Sequence, residues 1–169
     1  MTLYADLNIT SNFSFLRGAS HPHEYVERAK ALGLQAISIT DRNTLAGIVR
    51  GHIAAKELGL RYIIGTRLDL SDAPSLLAYP KDRAAYGRLS ELLTLGQRRA
   101  GKGECYLTLE DVAHHKAGQV FVLLTPPGHP TDSFLKSVQS VQKALEGEQV
   151  YLGLSMTYQG GDRERLNLY

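Results

Sequence analysis

The sequence lacks the features that mark several classes of protein. Its single cysteine, Cys105, excludes an internal disulfide framework. Tryptophan is absent, and no apolar run approaches the roughly 18 residues that a transmembrane helix requires. Residues 1–12 do not combine a basic start with an apolar stretch, so they do not resemble a secretory signal. We therefore expect a cytoplasmic protein that does not bind membranes.

The composition is that of an ordinary globular protein. Its 169 residues are 43% hydrophobic and 21% charged, which is enough for one domain with a sizeable core. The net charge of +2 is mildly basic, and without a clustered patch it does not indicate nucleic-acid binding.

The first part of the chain alternates between strand and helix periodicity. The predicted elements are a strand over Leu3–Ile9, a helix capped by Ser20, a strand over Leu34–Ile39, a helix over Leu45–Leu58 and a strand over Tyr62–Gly65. This order predicts an α/β fold with a mainly parallel sheet. Function in such sheets lies at the carboxyl ends of the strands, which here are Asn8–Thr10, Asp41–Arg42 and Gly65–Arg67.

The second part continues the alternation less regularly. Strands are predicted near residues 75–79, 120–124 and 150–154, and helices near 84–95, 108–115 and 133–145. Thr108, followed three residues later by Asp111, predicts a capped helix start.

Motifs at the predicted strand ends resemble a known family. The segments are Ser11–Ser20, Ala36–Asp41 with Leu45–Gly47, Ile63–Gly65, and Tyr86–Leu89 with Leu95–Cys105. In order and spacing they are similar to the PHP (polymerase and histidinol phosphatase) domain of bacterial error-prone DNA polymerases of the polymerase III alpha family. The resemblance implies that residues 1–169 are the N-terminal portion of a single PHP domain. It implies a truncated, TIM-like PHP barrel.

The resemblance also implies a metal site whose ligands have been replaced. The family's first motif supplies His-x-His at the positions of Asn8 and Thr10, its second supplies Asp-His at Asp41 and Arg42, and its third supplies a Glu at Arg67. Arginine keeps its charge and offers no lone pair to a cation. We expect no metal or other cofactor here. Either one or both arginines pair with Asp41 in place of the metal, or both arginines point into solvent and Asp41 caps a loop.

Other histidines and the cysteine are weaker candidates. His21-Pro22-His23 imitates His-x-His, but proline suits a helix start. His52 and the pair His114-His115 lack a converging set of acidic partners, and Cys105 is expected to be a buried thiol.

A basic segment forms a second candidate region. Its cations, with glycines between some of them, are Arg83, Arg88, Arg98, Arg99 and Lys102. A glycine-rich basic loop can approach phosphates, which favours contact with DNA. A docking surface for the polymerase body and a solvated, flexible loop are equally compatible with these residues.

The resemblance implies a parent enzyme that uses Mg²⁺ to extend primers across damaged template during DNA repair. This chain would be a non-catalytic module of it. Its partners would be the remainder of the polymerase, DNA weakly or indirectly, the sliding clamp and other translesion proteins. The alternatives are a small metal-dependent phosphoesterase and a standalone interaction module. Because an open sheet leaves unpaired edges, we expect either a reclosed sheet with fewer strands or an edge-to-edge dimer.

Overall fold

The computed structural model describes residues 4–126, 128–156, 158 and 160–169, so Leu3 lies outside the described part. The chain divides into two compact units, the first ending at Leu68 and the second beginning at Asp69. Parallel strand–helix units recur along it, which confirms the α/β prediction. The single-domain prediction for residues 1–169 stays a prediction.

The first unit is built from strands joined by helical crossovers. Its elements are β1 (Ala5–Ile9), α1 (Pro22–Ala31), β2 (Ala36–Ile39), α2 (Ile48–Leu58), β3 (Arg61–Tyr62) and β4 (Thr66–Leu68). Strands β1, β2 and β3 form a parallel sheet in that order, with Ala5 opposite Ala36 and Ala36 opposite Arg61. The predicted strand–helix–strand–helix–strand order is confirmed. Parallel pairing places the carboxyl ends of these strands at one edge.

Alternate faces of β2 divide the first unit's interior. Ile37 and Ile39 pack in a buried cluster with residues of both helices and of the segment after α2, namely Val26, Ala29, Ala55 and Leu60. Ser38 and Thr40 lie on the opposite face of the strand and are also fully buried. The strand is therefore buried on both faces, one apolar and one polar.

Three element boundaries correct the predictions. His21, not Ser20, is the N-cap of α1, and the second helix begins at Ile48 after Gly47. The third predicted strand is confined to Arg61–Tyr62, so a separate strand carries Arg67. The end of the second helix at Leu58 agrees with its predicted bounds, and Gly33 and Gly59, which follow the two helices, have the positive φ that favours glycine there.

The second unit contains the remaining elements. They are β5 (Leu76–Pro80), α3 (Arg83–Arg99), α4 (Leu109–His114), β6 (Gln119–Leu124), α5 (Asp132–Ala144), β7 (Gln149–Gly153) and α6 (Asp162–Leu166). Strand β6 pairs antiparallel with β5 and parallel with β7. Phe121, Leu123 and Leu76 lie in its buried interior.

Helix α3 is longer than its sequence predicts. Asp82 caps its start by accepting a hydrogen bond from the backbone N–H of Ala85, and the helix continues to Arg99. The glycine at position 96 is therefore helical and buried, although the sequence predicts that this helix ends near residue 95. Of the five cations of the basic segment, Lys102 alone lies outside this helix, so the structure corrects the predicted helix end, while DNA contact, docking and a solvated loop stay open.

Candidate functional site

The carboxyl ends of β1 and β2 are joined by side chains as well as by backbone. The Thr40 hydroxyl donates a hydrogen bond to the Asn8 amide oxygen at 3.1 Å, while the Thr40 N–H donates to the Ile9 carbonyl at 2.7 Å. The Asn8 oxygen, which the resemblance places at a ligand position, thus already accepts a hydrogen bond from within the fold.

Asp41, just past β2, is a buried carboxylate held by the loop over residues 11–20. It is only 2% exposed. Its Oδ1 accepts hydrogen bonds from the Ser11 N–H at 2.8 Å and the Ser14 hydroxyl at 2.6 Å. Its Oδ2 accepts one from the Ser11 hydroxyl at 2.6 Å. We call Ser11, Ser14 and Asp41 the serine–aspartate cluster. It replaces much of the hydration that an ionised carboxylate loses on burial.

The segment after Asp41 extends the sheet through its backbone. Arg42 and Arg67 are partners in a parallel bridge. The Arg67 N–H donates to the Asp41 carbonyl at 3.1 Å, and the Asn43 N–H donates to the Arg67 carbonyl at 2.8 Å. The Thr66 hydroxyl adds a hydrogen bond to the Asp41 carbonyl at 2.8 Å. The two arginines at ligand positions are therefore brought together, as the alignment of strand ends predicts.

The loop over residues 11–20 is tightly constrained at its base. A Cβ on Gly18 would lie 2.3 Å from the Ser11 carbonyl oxygen and 2.6 Å from that of Thr10, so only glycine fits there. Leu16 adopts the left-handed conformation with φ of 59°. For a non-glycine residue this conformation costs on the order of 1–3 kcal/mol and persists only where the surroundings enforce it.

Tyr62 and Phe13 lie near the serine–aspartate cluster. Burial, and then the negative charge of Asp41, raise the pKa of the Tyr62 phenol far above its usual range. The phenol therefore stays protonated, and its oxygen has no hydrogen-bond partner among the described residues. The Arg50 guanidinium lies 5.6 Å from the centre of the Phe13 ring, within cation–π range.

The structure changes which residues define the site. Ser11 and Ser14 are its principal hydrogen-bond donors, yet nothing in the sequence marks them as partners of a residue about thirty positions away. The pairing of Asp41 with Arg42 or Arg67 stays a prediction. Thr10 follows β1 and contributes its carbonyl to the tight approach at Gly18.

The basic residues of the second unit have different surroundings. Arg99 forms an ion pair with Asp111 at 2.7 Å, and the Nε of Arg88 donates to the Ala117 carbonyl at 2.8 Å. Exposed side chains are those of Arg83, Arg98, Arg99 and Lys102. Arg83 and Arg98 stand near opposite ends of α3, so the five cations do not form one compact patch.

The remaining histidines do not converge on an ion-binding centre. Within the described residues, no group of three or more His, Cys, Asp or Glu side chains is placed to hold a metal. The rings of His21 and His23 stack with centroids 5.6 Å apart, and the Asn12 amide nitrogen lies 2.9 Å from the His21 Nδ1. His21 also caps α1, its N–H donating to Glu24 Oε2.

No described helix combines the length and the apolar character that crossing a bilayer demands.

Solved structures with the same fold support the architecture. A protein assigned as a metal-dependent phosphoesterase from Bifidobacterium adolescentis superimposes with a TM-score of 0.65 at 17% identity, over 99% of this chain and 83% of the other. An amidohydrolase from Chromobacterium violaceum, with bound sulfate and no metal, gives 0.62 at 17% identity, over 87% of this chain and 75% of the other. At that identity the likeness concerns the fold alone.

Curated relatives are much closer in sequence. The error-prone DNA polymerase of Caulobacter vibrioides is 51% identical over 97% of this chain, and error-prone DNA polymerase 2 of Agrobacterium fabrum is 45% identical over 97%. That of Rhodopirellula baltica is 52% identical over 68%. The chain spans only about 15% of the length of the Caulobacter and Agrobacterium polymerases. The PHP domain model matches residues 6–158, and the chain belongs to the PHP domain family, in the form found in error-prone DNA polymerases.

Proposed function

We propose that this chain is a non-catalytic PHP module of an error-prone DNA-directed DNA polymerase that acts in translesion synthesis and DNA repair. Its role is structural: it braces the remainder of the polymerase. The parent enzyme would use Mg²⁺ for nucleotide transfer, with residues outside this chain. The relatives from Caulobacter and Agrobacterium, in which the matching segment is about 15% of a polymerase, support this assignment.

The non-catalytic part of the proposal rests on the hydrogen bonds that the Asp41 carboxylate already accepts. Both of its carboxylate oxygens accept short hydrogen bonds from serine hydroxyls, and one accepts a backbone N–H as well. These three hydrogen bonds occupy three of the roughly four lone-pair sites of the carboxylate, so Asp41 offers a divalent ion little capacity as a ligand. Asn8 is already engaged with Thr40. The donor set does not fit a cluster of divalent ions.

The arginines strengthen this disagreement. Arg42 and Arg67 are Cα partners in the bridge that follows Asp41, and they stand at the two sequence positions where the family has a histidine and a glutamate. A guanidinium cannot coordinate a cation at any relevant pH. At an effective dielectric constant near 20, two positive unit charges about 4 Å apart, such as a guanidinium and a cation, repel by roughly 4 kcal/mol. We therefore derive no metal-dependent step for this chain.

Titration with Mn²⁺ and Zn²⁺ tests the proposal. Calorimetry on the purified chain is expected to show no stoichiometric binding, and a phosphodiester substrate is expected to remain intact. The matched control rebuilds the family's ligands with Asn8→His, Thr10→His, Arg42→His and Arg67→Glu. Binding by this variant but not by the parent chain would support the proposal. Stoichiometric binding with hydrolysis by the parent chain would instead support a metal-dependent phosphoesterase.

A pulldown separates the module from a standalone interaction protein. The chain is expected to capture the remaining part of an error-prone polymerase. Capture of the sliding clamp without any polymerase would favour the standalone alternative.

A further inference from the structure

The loop over residues 11–20 presents two large apolar side chains at its apex. Phe15 is 85% exposed and Leu16 is 86% exposed, although they are adjacent in sequence. Single exposed apolar residues are common on protein surfaces and need no explanation. Here one of the pair also adopts the left-handed backbone conformation, which surrounding structure must enforce. An observed conformation of this kind is a reason to seek a function for the residue.

The base of the loop holds this apex in a fixed position. The N–H groups of Arg17 and Gly18 both donate to the Ser14 carbonyl, at 2.9 and 3.2 Å, and that of Ser14 donates to Ser11 at 3.0 Å. The Asn12 N–H donates to the Ser20 carbonyl at 2.9 Å, which closes the loop. Below the apex, the serine–aspartate cluster ties the same residues to β2. A preorganised contact loses little conformational entropy when it binds.

The chemistry of the apex favours a protein partner over nucleic acid. Phe15 could stack on one base, but Leu16 beside it has no aromatic face, and Arg17 is the only cation among residues 11–20. Binding to single or double strands draws on several phosphate contacts, which one arginine cannot supply. An aromatic and an aliphatic side chain side by side fit an apolar pocket on a protein surface.

In the relatives, the remainder of the polymerase always offers a protein surface close to the matching segment. The segment that matches this chain is about 15% of the Caulobacter polymerase, so the rest of that polypeptide is covalently attached to it. An attached partner has an effective concentration in the millimolar range, so a contact of two side chains is enough to be occupied.

We infer that Phe15 and Leu16 form a docking knob that inserts into an apolar pocket on the remainder of the error-prone polymerase. The inference rests on the proposed function and deepens it by naming the contact. The serine–aspartate cluster occupies the place of the metal site and anchors the knob, so that Asp41 supports docking instead of coordination.

Cysteine labelling in a chimeric polymerase tests the knob. This chain replaces the matched segment of the Caulobacter enzyme, with Phe15→Cys as the reporter and Leu32→Cys as the matched control. Leu32 is 59% exposed and ends α1 in the same unit. Iodoacetamide labelling is followed by mass spectrometry of the peptide that carries each site. We expect labelling at position 15 to be at least about tenfold slower in the chimera than in the isolated chain, with position 32 unchanged.

Equal labelling of position 15 in the chimera and in the isolated chain would overturn the inference. If labelling of position 15 in the isolated chain becomes slower as the concentration of that chain rises, the residue contacts a second copy of the chain instead. Protection of the isolated chain by a short single-stranded oligonucleotide would identify nucleic acid. Either result also overturns it.

Failure of the knob and failure of the proposed function are distinguishable. Primer extension by the chimera would show that it is folded. The error-prone polymerase of Brucella abortus, to which this chain is 46% identical, serves as a second host for the same test. An active chimera with position 15 accessible rejects the knob alone. Metal binding by the isolated chain, with position 15 protected in the chimera, rejects only the non-catalytic assignment.

Discussion

At the scale of single residues, Asp41 joins several segments of the first unit at the strand ends. Its side chain fixes Ser11 and Ser14, and its carbonyl receives both the Arg67 N–H and the Thr66 hydroxyl. One residue therefore connects the loop after β1 with the strand that follows β3. Hydrogen bonds to a buried charge are among the stronger stabilising contacts in proteins.

Asp41→Asn is expected to destabilise the chain. The substitution removes the charge that strengthens the hydrogen bonds from Ser11 and Ser14, and hydrogen bonds to a charged group contribute about 1.5–3 kcal/mol. Urea unfolding should show this loss in the free energy of unfolding. Glu57→Gln makes the same charge change on an exposed residue of α2 and should stay within about 0.5 kcal/mol. Equal stability of the Asp41 variant and the parent would refute the anchoring role.

Asp111 gives the second unit an acid-sensitive contact. Burial raises the pKa of this carboxyl, but the Thr108 N–H, the Arg99 guanidinium and the Thr108 hydroxyl outweigh burial and lower it. Because the pKa of Asp111 is lower in the folded state than in the unfolded state, its ionised carboxyl stabilises the fold at pH values above the unfolded-state pKa of about 3.9. This contribution is lost as the pH falls through the folded-state pKa.

Asp111→Asn should therefore reduce the acid dependence of unfolding. We expect the free energy of unfolding, measured between about pH 6 and pH 3, to fall less steeply than in the parent chain. Asp132→Asn, an exposed residue in the first turn of α5, should leave the slope unchanged. An unchanged slope in the Asp111 variant would contradict this account.

At the scale of elements, α3 shows how packing overrides a local signal. Gly96 sits in the helix because a Cβ there would lie 2.6 Å from the Cys105 sulfur and 2.7 Å from Leu107. Its carbonyl also accepts the Tyr106 N–H at 3.0 Å. The glycine is thus a point of close approach between the helix and the chain that follows it, and it lies beyond the predicted end of the helix.

Gly96→Ala is expected to destabilise the second unit by about 1–3 kcal/mol, because the added methyl meets well-packed atoms. Gly87→Ala is the matched control in the same helix, since nothing lies within 4 Å of its Cβ position. That change should stabilise by up to about 1 kcal/mol through helix propensity. The melting temperatures of the two variants would separate the steric cost of the added methyl from the gain in helix propensity. A Gly96 variant that is more stable than the parent chain would contradict the close approach.

The sequence predicts the elements better than the site. Hydrophobic periodicity locates the parallel strands, and glycines at positions 33 and 59 mark helix ends because their backbone conformation is local. The serine–aspartate cluster depends on contacts between residues far apart in the chain, which no local pattern encodes. For the same reason Gly96 resembles a loop residue until Leu107 is seen against it.

At the scale of the whole molecule, exposed apolar side chains collect along β7. This strand is last in the order of strands among the described residues. Tyr151 is 55% exposed and Leu152 is 39% exposed, so both faces of the strand present apolar surface. Leu154 and Met156 continue this surface beyond the strand. Such an edge favours pairing with another chain.

The isolated chain is accordingly expected to self-associate at high concentration. Light scattering should give an average mass above the 18.6 kDa of one chain, increasing with concentration. Tyr151→Lys places a charge on the edge strand and should restore the monomer mass. Tyr4→Lys, at a residue 60% exposed in the first unit, is the control that should not. A parent chain that remains monomeric throughout would refute pairing through β7.

The parallel bridge between Arg42 and Arg67 has a consequence for how this domain can evolve. The bridge is made by backbone N–H and carbonyl groups, which every residue except proline provides alike. Exchange of the side chain at either position therefore leaves the backbone groups of the bridge in place. A lineage can exchange a histidine or a glutamate for arginine there and keep its architecture, so a shared PHP fold is no guide to inherited chemistry.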